Sequence, residues 1–276
     1  MCRLFGMLSV EPSTARKYLL EDPCSLYAQS KVDPKSLQSD GWGVGFYLNG
    51  VPRLIKSEKP VYTEYERFAS AVEAARSKII LAHIRRASNP RGLPKERLIS
   101  IENSQPFTYG RYIFAHNGAI LIPDEVIAYL GEWGSKVRGL NDSEVYFWFL
   151  VRELEEHKAT LPEAIKSFQR VLSSLWEEHR KDHPNFNRPY RGLNLVFSDG
   201  ERLYAYAKYE DGKAASRSLC FKDQPALQMS YITSPDRLVV SSEKTNREDP
   251  WKPLRSGELL TGWISEGRVL TKIERV

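Results

Sequence analysis

Strand-like segments dominate this chain and do not alternate with its helices, and that order removes a large part of fold space. Residues 3–9 form a short apolar run, and residues 43–48 and 51–57 flank Asn49-Gly50, a dipeptide suited to a two-residue hairpin turn. Asp22-Pro23 reads as the start of a short helix reaching about Val32, because Pro is favoured at a first helical position. From Glu64 to Ser77 the apolar residues Phe68, Ala71, Val72 and Ala75 fall on one helical face, and a buried strand follows at residues 78–84. Residues 112–115 and 119–122 read as two strands interrupted by His116-Asn117-Gly118. Two long helices then come in succession. One is capped by Asp142 or Ser143 and runs to about Glu156, and the other opens with a Thr160/Glu163 capping-box pattern and runs to about Lys181. The rest reads as strands again, at 193–198, 202–209, 218–221, 238–242, 259–264 and 268–273. A doubly wound parallel fold needs regular strand–helix alternation, so this order predicts α+β layers.

With 276 residues, 41% of them hydrophobic, the chain has enough apolar side chain to fill one large core or two small ones. The first residues lack the apolar stretch of a secretory signal, and no run is long enough to cross a membrane. Three cysteines, at 2, 24 and 220, are too few and odd in number for a disulfide framework, which suits a reducing cytoplasm. The net charge of +5 comes from basic residues interspersed with acidic ones, the pattern of a solvated surface. The densest basic stretch, residues 180–191, carries Phe186 and Tyr190 and offers the weaker alternative of a nucleic-acid loop. The five histidines are scattered and no C-x-x-C pair is present, so no zinc site is expected.

Several separated segments are more polar or glycine-rich than strands require. They are Asp40-Gly41-Trp42-Gly43, His83-Ile84-Arg85-Arg86-Ala87-Ser88, Ala115-His116-Asn117-Gly118 and Asn141-Asp142-Ser143-Glu144. Cys2 completes the set, because removal of Met1 would leave one residue holding both a thiol and a free α-amine. In order and spacing from residue 2 to about 144, these elements resemble the class II glutamine amidotransferases, the N-terminal-nucleophile amidohydrolases. Val240-Ser241-Ser242-Glu243 looks like part of the second half of that domain in its stand-alone members.

The resemblance implies a four-layer αββα sandwich and a single domain over residues 2–276, with no synthase domain. It implies that Cys2 Sγ attacks a γ-glutamyl amide to form a thioester, with the α-amine, of reference pKa about 7.7–8.0, as the base. Asn117 and Gly118 would form the oxyanion hole through the Asn amide and the Gly N–H. Arg85 would hold the substrate α-carboxylate with Ser88 assisting, and Asp142 would receive the α-ammonium group. Asp40-Gly41-Trp42-Gly43 would bring a backbone close to the N-terminal residue, with Trp42 in the core. Arg86 is expected to be a surface or structural neighbour, and His83 and His116 to make structural hydrogen bonds. Neither metal nor organic cofactor is needed.

Simpler readings stand beside these. Cys2 also reads as a buried hydrophobic thiol, Asn117-Gly118 as a turn, Arg85 as a strand-end ion pair and Asp142 as an ordinary helix cap. A Cys–His protease built on Cys24 or Cys220 lacks any local signature. The chain also departs from the sugar- and purine-pathway members, which have His after the hydroxyl residue where this chain has Asn89-Pro90. Small stand-alone γ-glutamyl hydrolases therefore fit better than an ammonia-channelling enzyme. A glutaminase subunit serving a separate synthase is the alternative, and a non-catalytic module binding through residues 180–191 is the rival of another class. The expected partner is a small glutamyl substrate, with neither membrane nor nucleic acid.

Overall fold

The computed structural model describes residues 2–209 and 218–276. Its strands are β1 (Arg3–Ser13), β2 (Trp42–Leu48), β3 (Val51–Ser57), β4 (Ser77–Ile84), β5 (Phe107–Tyr109), β6 (Tyr112–Ile120) and β7 (Tyr190–Ser198). They continue with β8 (Arg202–Ala207), β9 (Met229–Thr233), β10 (Arg237–Ser241), β11 (Lys252–Leu254), β12 (Glu258–Ser265) and β13 (Arg268–Arg275). The α-helices are α1 (Leu26–Gln29), α2 (Tyr65–Ala74), α3 (Lys95–Leu98), α4 (Pro123–Leu130), α5 (Asp142–Glu155) and α6 (Leu161–His179). One sheet has the order β11-β9-β10-β1-β4-β2-β3 and the other β13-β12-β8-β7-β6-β5, and neighbouring strands in both run antiparallel.

Period-two alternation within doubly buried strands explains the layering. In β1, Leu4 and Leu8 join Leu81 of β4 and Ile113, Val196 and Leu203 of the second sheet in the core between sheets. Phe5 and Met7 point the other way, into a core closed by Phe68 and Val72 of α2. On the outer face of the second sheet, Phe114, Leu195 and Phe197 pack with Tyr146 of α5 and Phe168 of α6. The result is the expected αββα stack. Helix α5 sits between sheet and helix, and twelve of its fourteen residues are buried. Tyr146 stacks on Phe168 with ring centroids 4.1 Å apart, so aromatic contact joins the two helices directly.

Several local expectations need correction. His116-Asn117-Gly118 does not break a strand. These residues pair with Leu195, Asn194 and Leu193 of β7, and the register shifts only between Gly118 and Ile120. Helix α5 is capped by Asn141, whose side chain accepts the Ser143 N–H, so Asp142 lies inside the first turn. Ser25, not Asp22, caps α1. Asp22 instead accepts from the Asn246 side chain. Residues 218–221 are not a strand, whereas β5, β9 and β11 are. The Thr160/Glu163 capping box and the hairpin across Asn49-Gly50 are present as expected.

The cysteine reading also changes. Cys24 and Cys220 form a disulfide across 196 residues, with their Cα atoms 6.0 Å apart. That leaves Cys2 as the free thiol and removes both other cysteines as candidate nucleophiles. Among the described residues no helix is long and apolar enough to cross a membrane.

Candidate active site

Cys2 stands one residue before β1 and extends the inward alternation of Leu4 and Leu8. It lines a cavity of about 400 Å³ together with Ser88 from the loop after β4 and Gly118 from β6 of the opposite sheet. The Arg86 N–H donates to Cys2 Sγ at 3.4 Å, and the thiol donates to the Arg86 carbonyl at 3.3 Å. Burial pushes the Cys2 thiol up. The Arg86 N–H and the Arg85 guanidinium oppose that shift. Arg86 is thus a structural neighbour, the second of the two expectations, since both its backbone N–H and its carbonyl bond the sulfur.

Arg85 is buried, and its guanidinium donates through Nη1 to the carbonyls of Asp40 and Leu98 at 3.2 and 2.7 Å. Its Nε and Nη2 have no hydrogen-bond partner among the described residues. Among the described residues Arg85 forms no carboxylate ion pair at the strand end, so its free donors suit a carboxylate brought from outside. Backbone bonds between Asp40 and Arg85 and between Arg85 and Gly41 fix the two segments side by side. The Asp40 carboxylate accepts the Ala87 N–H at 2.8 Å and pairs with Lys95 at 3.2 Å. Burial works to raise the Asp40 carboxyl, but these partners and Ser39 outweigh it and hold the group below the usual carboxylate range.

The role expected for Asp40-Gly41-Trp42-Gly43 shifts in detail. A Cβ on Gly43 would lie 2.4 Å from the Gln105 carbonyl oxygen, so the close approach is to residues 105–106 and not to Cys2. Trp42 is core, as expected, and its indole N–H donates to Glu64 at 3.0 Å.

Asp142 is buried at the first turn of α5, and one carboxylate oxygen accepts the Ile120 N–H at 2.7 Å. The other accepts the Ser88 hydroxyl. Two segments expected to hold an amino-acid head thus meet, linked to each other. Arg85, Asp142 and Asn117 are buried and do not line the cavity, whereas Ser88 and Gly118 do.

Asn117 projects to the inner face of β6 and is buried, yet among the described residues neither its amide nitrogen nor its amide oxygen has a partner. A buried polar group normally finds one, and leaving it unpaired costs about 1–3 kcal/mol. Gly118 follows, and a Cβ there would lie 1.9 Å from the Gly192 carbonyl oxygen. That contact, not a turn, requires glycine.

His116 braces the same strand from behind. Its Nε2 donates to the Gly192 carbonyl at 3.2 Å, so Nδ1 accepts the Ser143 hydroxyl at 2.9 Å. Burial pushes the His116 imidazolium down and favours this neutral form. His83 differs from expectation. It is buried, among the described residues neither ring nitrogen has a formed hydrogen bond, and burial drives its pKa well down.

Two features lay beyond the sequence reading. Arg3 pairs with Glu243 at 3.0 Å, both buried, and donates to the Cys2 carbonyl at 3.3 Å. Ser242 brackets Leu4, its hydroxyl accepting the Leu4 N–H and its own N–H donating to the Leu4 carbonyl. The Ser242-Glu243 dipeptide thus holds the backbone next to Cys2. Second, Phe186 and Arg191, from the stretch weighed as a nucleic-acid loop, line the Cys2 cavity. Residues 240–243 and 180–191 each stand out in the sequence, but neither role is legible there, because the partners lie far apart in the chain.

Comparison with known proteins finds relatives along the whole chain. The family model described as Glutamine amidotransferases class-II matches residues 1–275. The gamma-glutamyl-hercynylcysteine sulfoxide hydrolase of Mycolicibacterium smegmatis is 34% identical over 265 residues, covering 94% of this chain and 95% of that protein. The protein of the same name from Mycobacterium tuberculosis is 34% identical over 124 residues, 44% of this chain, so the match spans 50% of that relative's length. In structure, the chain resembles a glutamine aminotransferase class-II domain protein from Silicibacter pomeroyi, with a TM-score of 0.60, 22% identity and 98% of both chains covered. It also resembles the glutamine phosphoribosylpyrophosphate amidotransferase of B. subtilis, with a TM-score of 0.63, 18% identity and coverage of 99% of this chain and 49% of that one. At these identities the structural likeness concerns the fold.

Proposed function

The chain belongs to the class II glutamine amidotransferases, and from that premise we propose that it hydrolyses a γ-glutamyl amide bond through a thioester on Cys2. The observation that carries this reading is the buried, unpartnered amide of Asn117, next to Gly118, which shares a cavity with the free thiol. Met1 lies outside the described residues, and its removal is part of the proposal. Once it is gone, the Cys2 α-amine takes the Sγ proton and the sulfur adds to the amide carbon. The carbonyl oxygen becomes an oxyanion held by the Asn117 amide and the Gly118 N–H. Collapse forms the thioester and expels the amine, which takes the proton from the α-ammonium group. Water, deprotonated by the Cys2 α-amine, attacks the thioester, and glutamate leaves as Sγ regains its proton from that amine.

Arg85 would take the substrate α-carboxylate on its unpartnered nitrogens, and Asp142 with Ser88 would take the α-ammonium group. The Ser88 to Asp142 hydrogen bond must then rearrange when substrate enters. The mycobacterial relatives, whose names specify gamma-glutamyl-hercynylcysteine sulfoxide, support a γ-glutamyl compound as substrate over free glutamine.

Glutamate release from γ-glutamyl amides by the purified protein tests the proposal, together with N-terminal sequencing of the active species. The sequence should begin at Cys2, and Cys2→Ala should abolish release. Full turnover by Cys2→Ala, or active protein that still begins with Met, overturns it.

A further inference from the structure

The open volume beside Cys2 has Ser88, on the side expected to hold the glutamyl head, in its wall, but most of its lining comes from other residues. Arg85 and Asp142, the groups suited to the head's two charges, do not line the cavity, so the wall formed by Arg86, Pro90, Leu121, Phe186 and Arg191 is left for the departing amine. At about 400 Å³ it far exceeds the roughly 30 Å³ that a molecule the size of water or ammonia occupies in a liquid.

Its walls carry a charge imbalance. Arg86 and Arg191 line it, and among the described residues neither guanidinium has a carboxylate partner or a hydrogen bond. Other arginines of the fold do pair, as Arg3 does with Glu243, Arg91 with Asp124 and Arg152 with Glu153. Among the described residues no acidic side chain lines the cavity. Phe186 adds an aromatic surface, with the Arg191 guanidinium 5.9 Å from its ring centroid. Leu121 and Pro90 add apolar surface, and Asn89 a polar side chain whose amide bonds the Leu93 carbonyl. A γ-glutamyl head brings one negative and one positive charge, which Arg85 and Asp142 balance. Two guanidinium groups are left over.

We propose that Arg191 and Arg86 select γ-glutamyl amides whose amine carries a carboxylate or similar anion, with Phe186 packing on the body of that amine. The substrate class is therefore γ-glutamyl amino acids and peptide-like compounds, and free glutamine is a poor substrate. This inference rests on the γ-glutamyl hydrolase reading above.

The test compares two substrates that differ only in leaving-group charge, γ-glutamylglycine and γ-glutamylglycinamide, with L-glutamine as a third. Glutamate release gives kcat/KM for each. A charge-assisted hydrogen bond predicts a preference of about tenfold or more for the glycine compound over the amide. Arg191→Gln, and separately Arg86→Gln, should shrink that ratio towards one by lowering kcat/KM for γ-glutamylglycine. Equal kcat/KM for the two compounds in the native protein, or a ratio unchanged in both variants, overturns the leaving-group assignment while leaving γ-glutamyl hydrolysis intact. Failure to turn over any of the three, in protein shown to begin at Cys2, overturns the hydrolase reading and this inference with it.

Discussion

Asn117 carries an unsatisfied amide in a place where folding alone gives it no partner, and that is the state expected of a group waiting for charge to develop. Replacing it by Ala removes one oxyanion donor without creating a new buried polar group. We predict a fall in kcat of about 10²–10³-fold with little change in KM, since the donor acts on the transition state more than on the bound amide. Steady-state kinetics on a γ-glutamyl amide reads this directly, and a variant with native kcat and a raised KM would place Asn117 in substrate binding instead. At this scale much of the candidate site was legible. Cys2, Arg85, Ser88, Asn117, Gly118 and Asp142 are short-range patterns, each tied to a specific chemical need. Phe186 and Arg191 were not legible as site residues, because an aromatic and a cation in a Pro-rich basic stretch look the same whether they face solvent or a cavity.

At the scale of elements, the position of the candidate nucleophile depends on the segment just beyond β10. There, Ser242 and Glu243 hold Leu4 and Arg3, so the start of β1 is clamped from about 240 residues away in the chain. Glu243 also accepts the N–H groups of Leu219 and Cys220. Removing its carboxylate leaves a buried Arg3 guanidinium uncompensated, which typically costs about 3–5 kcal/mol. Glu243→Ala is therefore predicted to lower the urea midpoint by that equivalent and to reduce turnover, because Arg3 also holds the Cys2 carbonyl. A variant as stable as the native protein would show that the pair contributes nothing net. Sequence patterns mark the long elements well and the short or polar ones poorly. Helices α2, α5 and α6 stand out by their apolar periodicity or caps, whereas β5 and β11 span three residues each, too few to show a period. Strand β6 reads as two pieces because Asn117-Gly118 has the composition of a turn. Its true constraint, the Gly192 carbonyl pressed against Gly118, comes from a neighbouring strand.

At the scale of the whole molecule, the layer order follows from the non-alternating order of elements, but strand pairing does not. Strand β1 lies between β4 and β10 in the first sheet, so the N-terminal residues become central only after the last quarter of the chain has docked. The Cys24–Cys220 bond links an early loop to that late region, and three cysteines give no basis for choosing which pair joins. A crosslink enclosing so long a loop restricts the unfolded chain, with a typical stabilisation of about 2–4 kcal/mol. The bond also keeps Cys220 beside Glu243, so its effect extends to the Arg3 clamp on Cys2. We predict that the double variant Cys24→Ala/Cys220→Ala loses about 2–4 kcal/mol in urea unfolding. Turnover should fall less than in Glu243→Ala, because the carboxylate that pairs with Arg3 is still present. Thiol titration of the denatured, unreduced native protein should find Cys2 alone, and pretreatment with a dithiol reductant should reproduce the variant's stability. Three titratable thiols in unreduced protein, with stability indifferent to reductant, would remove the crosslink from this account and leave Glu243 as the principal restraint on residue 3.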